Sequence, residues 1–384
     1  MRELHVSHPL LDVNPGGQRL SARFRVGLIT KTVWFRTPPG SLSALSDPFV
    51  PVALIPAMRR RWRLTIEGPV SQSLLDGAER VQNRLTHWYP KMRHVEIKCM
   101  AVPVSSPKKS GAVATFFSGG VDSFYTLQRH RDEITDLIFV HGLDVPLWRR
   151  EERERIAASV RSLAKEEGLR LVEVETNLRQ FGQPHVSWSD SYVGAALGAI
   201  ALMLAPRFDR IFIPASVGAD ELGPRGSHPE LDQQWSSGNM DVVHDGLEAT
   251  RFEKIRAIAD WPLIYPSLRV CYQKIATRLN CGRCRKCLWT MMMLEAAGCL
   301  DRIETFESRL NLRLLRRYPP SRLNQRRRFV QSIDLLEERG DNEALQNLLR
   351  EMLDAGGRAP MSGRLSRLVK RTENYLAHLL PYGT

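Results

Sequence analysis

Apolar and polar residues in the middle of the chain follow a pattern in which short apolar runs alternate with longer amphipathic segments. Short runs rich in β-branched and aromatic residues are typical of buried strands, and apolar residues at helical spacing are typical of helices. The predicted strands are 113–117, 137–141, 170–175 and 210–214, and the predicted helices between them include 151–167 and 191–205. This alternation predicts an α/β fold with a doubly wound parallel sheet.

The first 108 residues have a different pattern, which predicts an N-terminal α+β accessory domain. Strands are predicted at 23–29, 63–66 and 94–104. Ser71 is positioned to cap a helix that ends near Trp88, because apolar residues recur at helical spacing between them. A Pro-Lys-Lys-Ser-Gly segment at 107–111 predicts a linker to the second domain, which is expected to occupy residues 109–300.

Residues 301–384 are basic and carry apolar residues at helical spacing, which predicts a helical C-terminal region. The chain has a net charge of +13, and nine arginines fall between Arg302 and Arg328. Such a run suits either contact with a nucleic-acid backbone or the solvent-facing side of an arginine-rich helical region. The region is expected either to cover the active site or to form a homodimer contact.

Length and composition predict a globular protein of two or three domains, since the chain has 384 residues and is 43% hydrophobic. The N-terminus lacks the apolar run of a signal peptide. The longest apolar stretch, 193–205, is shorter than the roughly 20 residues that a bilayer-spanning helix needs. We therefore expect a cytoplasmic protein with no membrane partner.

The segment that most suggests chemistry is a hexapeptide between the first of these strands and the helix after it, Ser118, Gly119, Gly120, Val121, Asp122 and Ser123. Adjacent glycines let the backbone turn sharply and approach a ligand. The N–H groups of the following helix favour an anion there, and the serines add hydroxyl donors. Asp122 suits a phosphate site if Mg²⁺ bridges the carboxylate and the phosphates. The segment lacks the Gly-Lys-Ser/Thr ending of a Walker A loop.

A second pattern is formed by cysteines with metal-ligand spacing. Four of the six cysteines are Cys271, Cys281, Cys284 and Cys287. Two consecutive two-residue spacings bring three thiolates onto one loop, and a fourth can complete a tetrahedron around Zn²⁺. An iron–sulfur cluster also takes four cysteines, and a redox pair is the remaining alternative. Cys99 and Cys299 are expected to be small buried apolar residues.

Together the two patterns resemble the N-type ATP pyrophosphatases, or PP-loop proteins, and in particular the 7-cyano-7-deazaguanine synthases. The resemblance rests on Ser-Gly-Gly-Val-Asp-Ser and, about 150 residues later, on Val-Cys-Tyr-Gln followed by Cys-Gly-Arg-Cys-Arg-Lys-Cys. It covers residues 110–300, so the chain is interpreted as a diverged homologue with a PP-loop fold. It implies that ATP is cleaved between its α- and β-phosphates and that the Zn²⁺ site is structural.

The resemblance also assigns roles to residues outside the hexapeptide. The end of the second strand of the α/β unit lines the adenosine pocket in such proteins, which makes His141, Gly142 and Asp144 candidates; a simple turn is the alternative. Arg251 and Lys254 match a segment that lies near pyrophosphate in the family, although an exposed helix face would contain the same residues. With Asp122 and Ser123 they form the expected catalytic set.

The expected function is that of an ATP-dependent ligase forming a carbon–nitrogen bond. It adenylates a carboxylate or carbonyl oxygen of a small substrate, and ammonia or an amine then displaces AMP. The long polar segment 215–239 is expected to contact that substrate. Two alternatives stay open: a PP-loop enzyme that thiolates tRNA or a nucleobase, and a non-catalytic module that senses nucleotides.

Overall fold

One mixed sheet runs through the protein in the computed structural model, which describes residues 2–40, 42–43, 46–103, 110–238, 240–273 and 277–355. Its strands are β1 (Glu3–Val6), β2 (Leu10–Asn14), β3 (Gly17–Val26), β4 (Ile29–Thr37), β5 (Arg63–Ser71), β6 (Ile97–Val102), β7 (Val113–Phe116), β8 (Asp136–His141), β9 (Arg170–Thr176), β10 (Arg210–Pro214) and β11 (Asp241–Asp245). Among the described residues the spatial order is β11-β10-β7-β8-β9-β4-β3-β1-β5-β6, and β2 pairs with β3 outside this path.

Helices cover both faces of this sheet. They are α1 (Phe49–Arg60), α2 (Gln72–Trp88), α3 (Val121–Arg129), α4 (Arg150–Glu166), α5 (Leu178–Gly182), α6 (Val193–Leu204), α7 (Pro229–Asp232), α8 (Arg251–Ile258), α9 (Ile264–Ser267), α10 (Arg285–Ala296), α11 (Leu312–Leu315), α12 (Leu323–Glu338) and α13 (Glu343–Ala355). The protein is thus an α/β protein with a largely parallel central sheet, as the sequence pattern predicts.

The parallel half of the sheet consists of β7 to β11. Its five strands lie in the order β9-β8-β7-β10-β11, and each pairs in parallel with its neighbours. The chain therefore builds outward in one direction from β7 and then starts again on the other side of β7 with β10. Ligands in open α/β sheets bind beyond the carboxyl ends of the strands at such a change of direction. The hexapeptide that follows β7 lies at this position.

The N-terminal strands extend the same sheet rather than forming a second one. β4 pairs antiparallel with β9, with Phe35 opposite Thr176, and Asn177 bonds to the β4 backbone at Trp34 and Thr32. The apolar core beneath this part of the sheet also continues from Leu4 into the parallel half. Both the sheet and the core thus contain residues from either side of the boundary predicted at residue 108. The domain boundaries drawn from the sequence stay a prediction.

Alternate residues of the parallel strands point into two different cores. Ile138 packs with α1 and α6 on one face, whereas Leu137 and Phe139 pack with α3, α4 and α10 on the other. Strands that are buried on both faces have apolar residues in consecutive positions. This explains why the sequence shows short unbroken apolar runs here.

Most predicted elements are confirmed, and two errors have clear physical causes. The strands at 137–141, 170–175 and 210–214 and the helix from Gln72 to Trp88 occur within a residue of their predicted bounds. The single strand predicted at 23–29 is wrong, because a turn at Gly27 and Leu28 separates β3 from β4. Helix α1 was not predicted: its residues from Phe49 to Met58 are buried almost all round, so it lacks a polar face.

Other predicted elements are shorter than expected or lie outside the described residues. The strand predicted at 94–104 is confirmed only from Ile97 to Val102. Most of the predicted linker at 107–111 and the last part of the predicted helical C-terminal region, residues 356–384, fall outside the described part of the chain. The described part of the C-terminal region is helical, as predicted, and α12 packs against α10 and α13.

One described helical stretch, Trp188–Arg207, is long and apolar enough to cross a membrane by length and composition alone. It joins a π-helical turn, α6 and a 3-10 turn, which makes it longer than the apolar run 193–205. In its most apolar window, 67% is buried inside the protein, where α6 packs against α1 and the sheet. Such burial is that of a core helix.

Candidate functional site

The hexapeptide forms a tight loop that ends as the N-terminus of α3. Gly120 is the N-cap residue, and α3 begins at Val121. Ser123 Oγ donates to the Gly120 carbonyl at 2.9 Å and lies 3.4 Å from Ser118 N, which ties the two ends of the loop together. Because Gly120 has no side chain to cap the helix, the N–H groups of the first turn stay available to an anion.

Gly119 allows the segment around Ser267 and Arg269 to lie directly against this loop. Its φ is +74°, and a Cβ atom there would lie 3.2 Å from the Ser267 carbonyl oxygen. The Arg269 N–H donates to the Gly119 carbonyl at 2.7 Å. The segment that leads from α9 to the cysteines therefore supports the hexapeptide from behind.

Asp122, Arg251 and Lys254, three residues of the expected catalytic set, come together beside the loop. Arg251 Nη2 lies 2.8 Å from Asp122 Oδ2, and Lys254 Nζ lies 3.9 Å from Asp122 Oδ1. Thr250 and Glu253 form a capping box that starts α8 and so presents both cations to α3. The Lys254 side chain is 1% exposed, and its Nζ donates to the Ala215 carbonyl at 2.6 Å.

The electrostatics of this cluster suit an anion and a cation bound together. Burial lowers the pKa of Lys254, and the charge of Arg251 lowers it further, whereas Asp122 opposes the shift. Asp122 Oδ1 is buried and has no hydrogen-bond partner among the described residues. An unpaired carboxylate oxygen next to buried cations fits a hard divalent cation that also contacts phosphates.

Three arginines not predicted as site residues also lie around this loop. Arg269 reaches Asp144 at 3.5 Å, and its Nη2 is buried without a partner among the described residues. Burial lowers the pKa of Arg225 and of Arg328. Among the carboxylates Glu221 opposes this shift most strongly, and the charge of Asp122 also opposes it. Arg328 comes from α12 in the C-terminal region. Arg269 directly precedes Val270 and Cys271 of the cysteine motif, and Arg225 lies in the polar segment 215–239, so both stand next to features visible in the sequence. Nothing in the sequence distinguishes Arg328 from the other arginines of the basic C-terminal region.

His141, Gly142 and Asp144 lie where β8 ends, but they do not form one group. Gly142 has φ +93°, and a Cβ atom there would lie 2.1 Å from the Thr176 carbonyl oxygen, so this glycine is needed for the close approach of β9. His141 Nε2 bonds to Glu173 at 2.9 Å, and His141 Nδ1 is buried without a partner in the described part of the chain. Asp144 is the member that reaches the hexapeptide, through Arg269.

The contacts of His141 hold its side chain in one orientation. Burial alone would raise the pKa of Glu173, but hydrogen bonds from His141 and Arg161 outweigh it and lower this pKa to about 2. A permanently ionised Glu173 orients the His141 ring, with Nδ1 left free for a ligand. Near Asp144, burial lowers the pKa of Arg179 to about 10.

Cys271, Cys281, Cys284 and Cys287 form a candidate metal centre. Their four Sγ atoms all lie within 4.8 Å of one another, and adjacent pairs are 3.5 to 3.9 Å apart. Four sulfurs at about 2.3 Å from a tetrahedral ion lie about 3.8 Å from each other, so the cluster has the size of a four-thiolate site. Backbone N–H groups of Gln273 and Cys287 bond to Sγ atoms of Cys271 and Cys284.

Asn280 connects the metal centre to the hexapeptide. Its buried Oδ1 accepts from the N–H groups of Val270 and Cys271 at 2.7 and 3.1 Å. Its Nδ2 donates to the Leu268 carbonyl and to Thr305 Oγ1. Since Arg269 lies within the segment that Asn280 holds, the cysteine loop fixes the residue that bonds to Gly119.

The long polar segment predicted to contact a substrate is tied to the site at one end and to a buried network at the other. Ala215 accepts the Lys254 hydrogen bond, as described above. Asp232 is fully buried and accepts from Ser227 Oγ at 2.6 Å, with His244 Nδ1 at 2.7 Å. His228 packs edge-on against Trp88 at the end of α2. The N-terminal region therefore packs against this polar segment.

The fold and the site stand without support from known relatives: no family model and no curated protein matches the chain.

Proposed function

We propose that the protein is an ATP-dependent ligase of the N-type ATP pyrophosphatase class. It adenylates a carboxylate or carbonyl oxygen of a small substrate, releases pyrophosphate, and then lets ammonia or an amine displace AMP. The observation that carries the proposal is the cluster of Asp122, Arg251 and Lys254 at the N-terminus of α3. This cluster lies where the strand order of the parallel sheet reverses, at the usual position of a ligand in such sheets.

Each residue of the loop has a role in this proposal. The backbone from Ser118 to Val121, together with Ser123, binds the β- and γ-phosphates at the helix N-terminus. Asp122 would hold Mg²⁺, because its Oδ1 is a carboxylate oxygen without a hydrogen-bond partner among the described residues. The ATP–Mg²⁺ complex supplies the AMP group and a leaving pyrophosphate. The alternative without a cation would place the Asp122 carboxylate against phosphate, which is electrostatically unfavourable.

The reaction step transfers AMP from pyrophosphate to the substrate. The substrate oxygen forms a bond to the α-phosphorus while the bond to the bridging oxygen breaks, and the negative charge leaves with pyrophosphate. The buried Lys254 and the partly buried Arg251 stabilise this charge from positions where electrostatic interactions are stronger than in water. Catalysis is thus mainly alignment and charge stabilisation.

The cysteine cluster has a structural role in the proposal, with Zn²⁺ as its metal ion. A closed four-cysteine site leaves no open position for a substrate. Its effect on the reaction passes through Asn280 and Arg269, which hold the segment behind Gly119.

The direct test identifies the nucleotide products. The purified full chain is incubated with Mg²⁺, ammonium, a small-metabolite extract and ATP labelled at either the α- or the γ-phosphate. AMP and pyrophosphate that form only with the extract would support the proposal. ADP and phosphate would contradict it. Formation of AMP with a tRNA pool but not with small metabolites would favour the nucleic-acid-modifying alternative.

The lowered pKa of Lys254 gives a testable pH dependence. The side-chain amine of Lys254 must be protonated to attract an anion. Pyrophosphate affinity should therefore fall as the pH rises through the pKa of Lys254, which lies below the ordinary 10.5. The Lys254→Arg variant keeps its charge at these pH values, so its affinity should stay nearly constant. Calorimetric titration with pyrophosphate and Mg²⁺ between roughly pH 7 and pH 10 compares the two proteins. Equal pH profiles would remove Lys254 from the binding site.

A further inference from the structure

Helix α12 of the C-terminal region is attached to a short turn, Ala219–Glu221, in the polar segment after β10. Arg328 Nη2 bonds to Glu221 Oε2 at 2.7 Å, and Asn324 Nδ2 bonds to the same oxygen at 3.3 Å. Arg327 forms an ion pair with Asp220. Glu221 is 2% exposed, so this contact is built into the fold. The C-terminal region therefore reaches the cleft through one helix face.

The arginines around this contact outnumber the carboxylates that neutralise them, so attachment of α12 does not account for all of the positive charge. Arg225 is half-buried, and its one side-chain hydrogen bond among the described residues is to Ser216 Oγ at 3.3 Å. The carboxylates that act most strongly on Arg225 and Arg328 are Glu221 and Asp122, and Asp122 is already paired with Arg251. Glu221 and Asp122 thus provide two negative charges for three arginines, which are Arg225, Arg251 and Arg328.

The environment of these arginines is unfavourable for their charged form, as their pKa values and missing hydrogen bonds indicate. Burial lowers the pKa of both Arg225 and Arg328, and each is lowered further by a neighbouring arginine. Arg328 Nε and Glu221 Oε1 are buried without hydrogen-bond partners among the described residues. Two partly buried cations, one of which has a buried donor without a partner in the described part of the chain, are stabilised when an anion binds between them.

We propose that Arg225 and Arg328 form a second anion subsite of this cleft, which binds the terminal phosphates of a nucleoside triphosphate and the pyrophosphate released from it. The inference rests on the proposed function, because it assigns part of the same ligand. It goes further by making α12 a component of the active site. Arg328 binds a phosphate oxygen while Glu221 keeps the guanidinium in place, and Arg225 contacts the phosphate from the opposite side of the turn.

The experiment measures binding of inorganic pyrophosphate, ATP and AMP to the full chain in the presence of Mg²⁺. Arg328→Ala and Arg225→Ala should each weaken pyrophosphate and ATP by about tenfold to a hundredfold, as expected for loss of a charged hydrogen bond. Binding of AMP should change less than threefold. Arg313→Ala removes an exposed arginine of the same region as a control for net charge. Thermal unfolding of each variant checks that it is folded.

Glu221→Gln separates a binding role from a purely structural one. If Arg328 only docks α12 through Glu221, then removing either charge should have the same effect on pyrophosphate binding. If Arg328 binds phosphate, Glu221→Gln keeps a carbonyl oxygen that can hold the guanidinium but removes the competing negative charge, and pyrophosphate affinity should hold or increase. Opposite effects of the two variants support the subsite.

The outcomes also separate this inference from the proposed function. Unchanged pyrophosphate affinity in Arg328→Ala and Arg225→Ala, with a wild-type chain that binds pyrophosphate, would overturn the subsite alone. A loss confined to AMP would overturn it as well. A wild-type chain that binds neither ATP nor pyrophosphate with Mg²⁺ would contradict the proposed function itself.

Discussion

Replacement of Cys281 by serine is expected to abolish metal binding at the four-cysteine cluster and to destabilise the protein by at least about 4 kcal/mol. Cys281 is buried, and its Sγ lies 3.5 Å from Cys271 Sγ and 3.8 Å from Cys287 Sγ. A serine hydroxyl is a poor ligand for Zn²⁺, so three thiols would be left crowded in an apolar core. Because α10 begins at the cluster, the defect should spread into that helix.

The measurement combines elemental analysis with thermal unfolding. The wild-type chain should contain about one zinc ion and no iron, and the variant should contain almost no metal. Cys99→Ser is the matched control, because Cys99 lies outside the cluster on β6 and is only partly buried. Iron with labile sulfide in the wild-type chain would instead indicate an iron–sulfur cluster and revive the thiolation alternative. A variant as stable as the wild type would remove the structural role.

The same variant should also weaken nucleotide binding, although no cysteine lies in the proposed phosphate site. Without the metal ion, Asn280 loses the fixed loop that lets it hold Val270 and Cys271. Arg269 is then free to leave the Gly119 carbonyl, and the hexapeptide loses its support. Weaker ATP binding in the folded fraction of Cys281→Ser would report this coupling.

Replacement of Asp122 by asparagine is expected to lower AMP and pyrophosphate formation by about a hundredfold to a thousandfold. Asparagine keeps the shape of the side chain but removes the negative charge that would hold Mg²⁺. Arg251 and Lys254 lose their carboxylate partner as well. The cluster then becomes more positive, so binding of pyrophosphate without Mg²⁺ should be retained or strengthened. This divergence between binding and turnover is what a role in cation binding predicts.

The assay follows release of pyrophosphate and, separately, binding of ATP at several Mg²⁺ concentrations. Asp132→Asn is the control, because Asp132 is an exposed carboxylate just beyond the C-terminal end of α3. The Asp122 variant should need far more Mg²⁺ for any remaining activity, whereas the control should match the wild type. Full activity of Asp122→Asn would exclude this carboxylate from the site. Such a result would also remove the main argument for α,β-cleavage.

Much of the fold follows from local pattern, and the exceptions share a physical cause. The parallel strands are buried on both faces, so their sequences are short apolar runs that can be read directly. The hairpin of β3 and β4 was missed because Gly27 and Leu28 interrupt a pattern that otherwise continues without change. The long α1 was missed because packing by α6 on one side and strands on the other removes its polar face.

The sequence by itself identified the candidate site residues that lie close together along the chain. The hexapeptide from Ser118 to Ser123 combines strand end, glycine turn and helix start within a few residues. The cysteines from Cys281 to Cys287 have a spacing that one loop can gather around an ion, and all four Sγ atoms do meet. Such features involve residues that are neighbours along the chain, so they can be recognised from the sequence alone.

Only the tertiary structure decided which distant side chains complete the site. Arg269 reaches the hexapeptide because the cysteine loop folds back onto it, and Arg328 reaches Glu221 because α12 packs beside the turn that holds this residue. Either arginine would fit an exposed helix or loop equally well when seen in the sequence alone. Contacts between residues more than a hundred positions apart depend on how elements pack, and packing is a property of the whole core rather than of any segment.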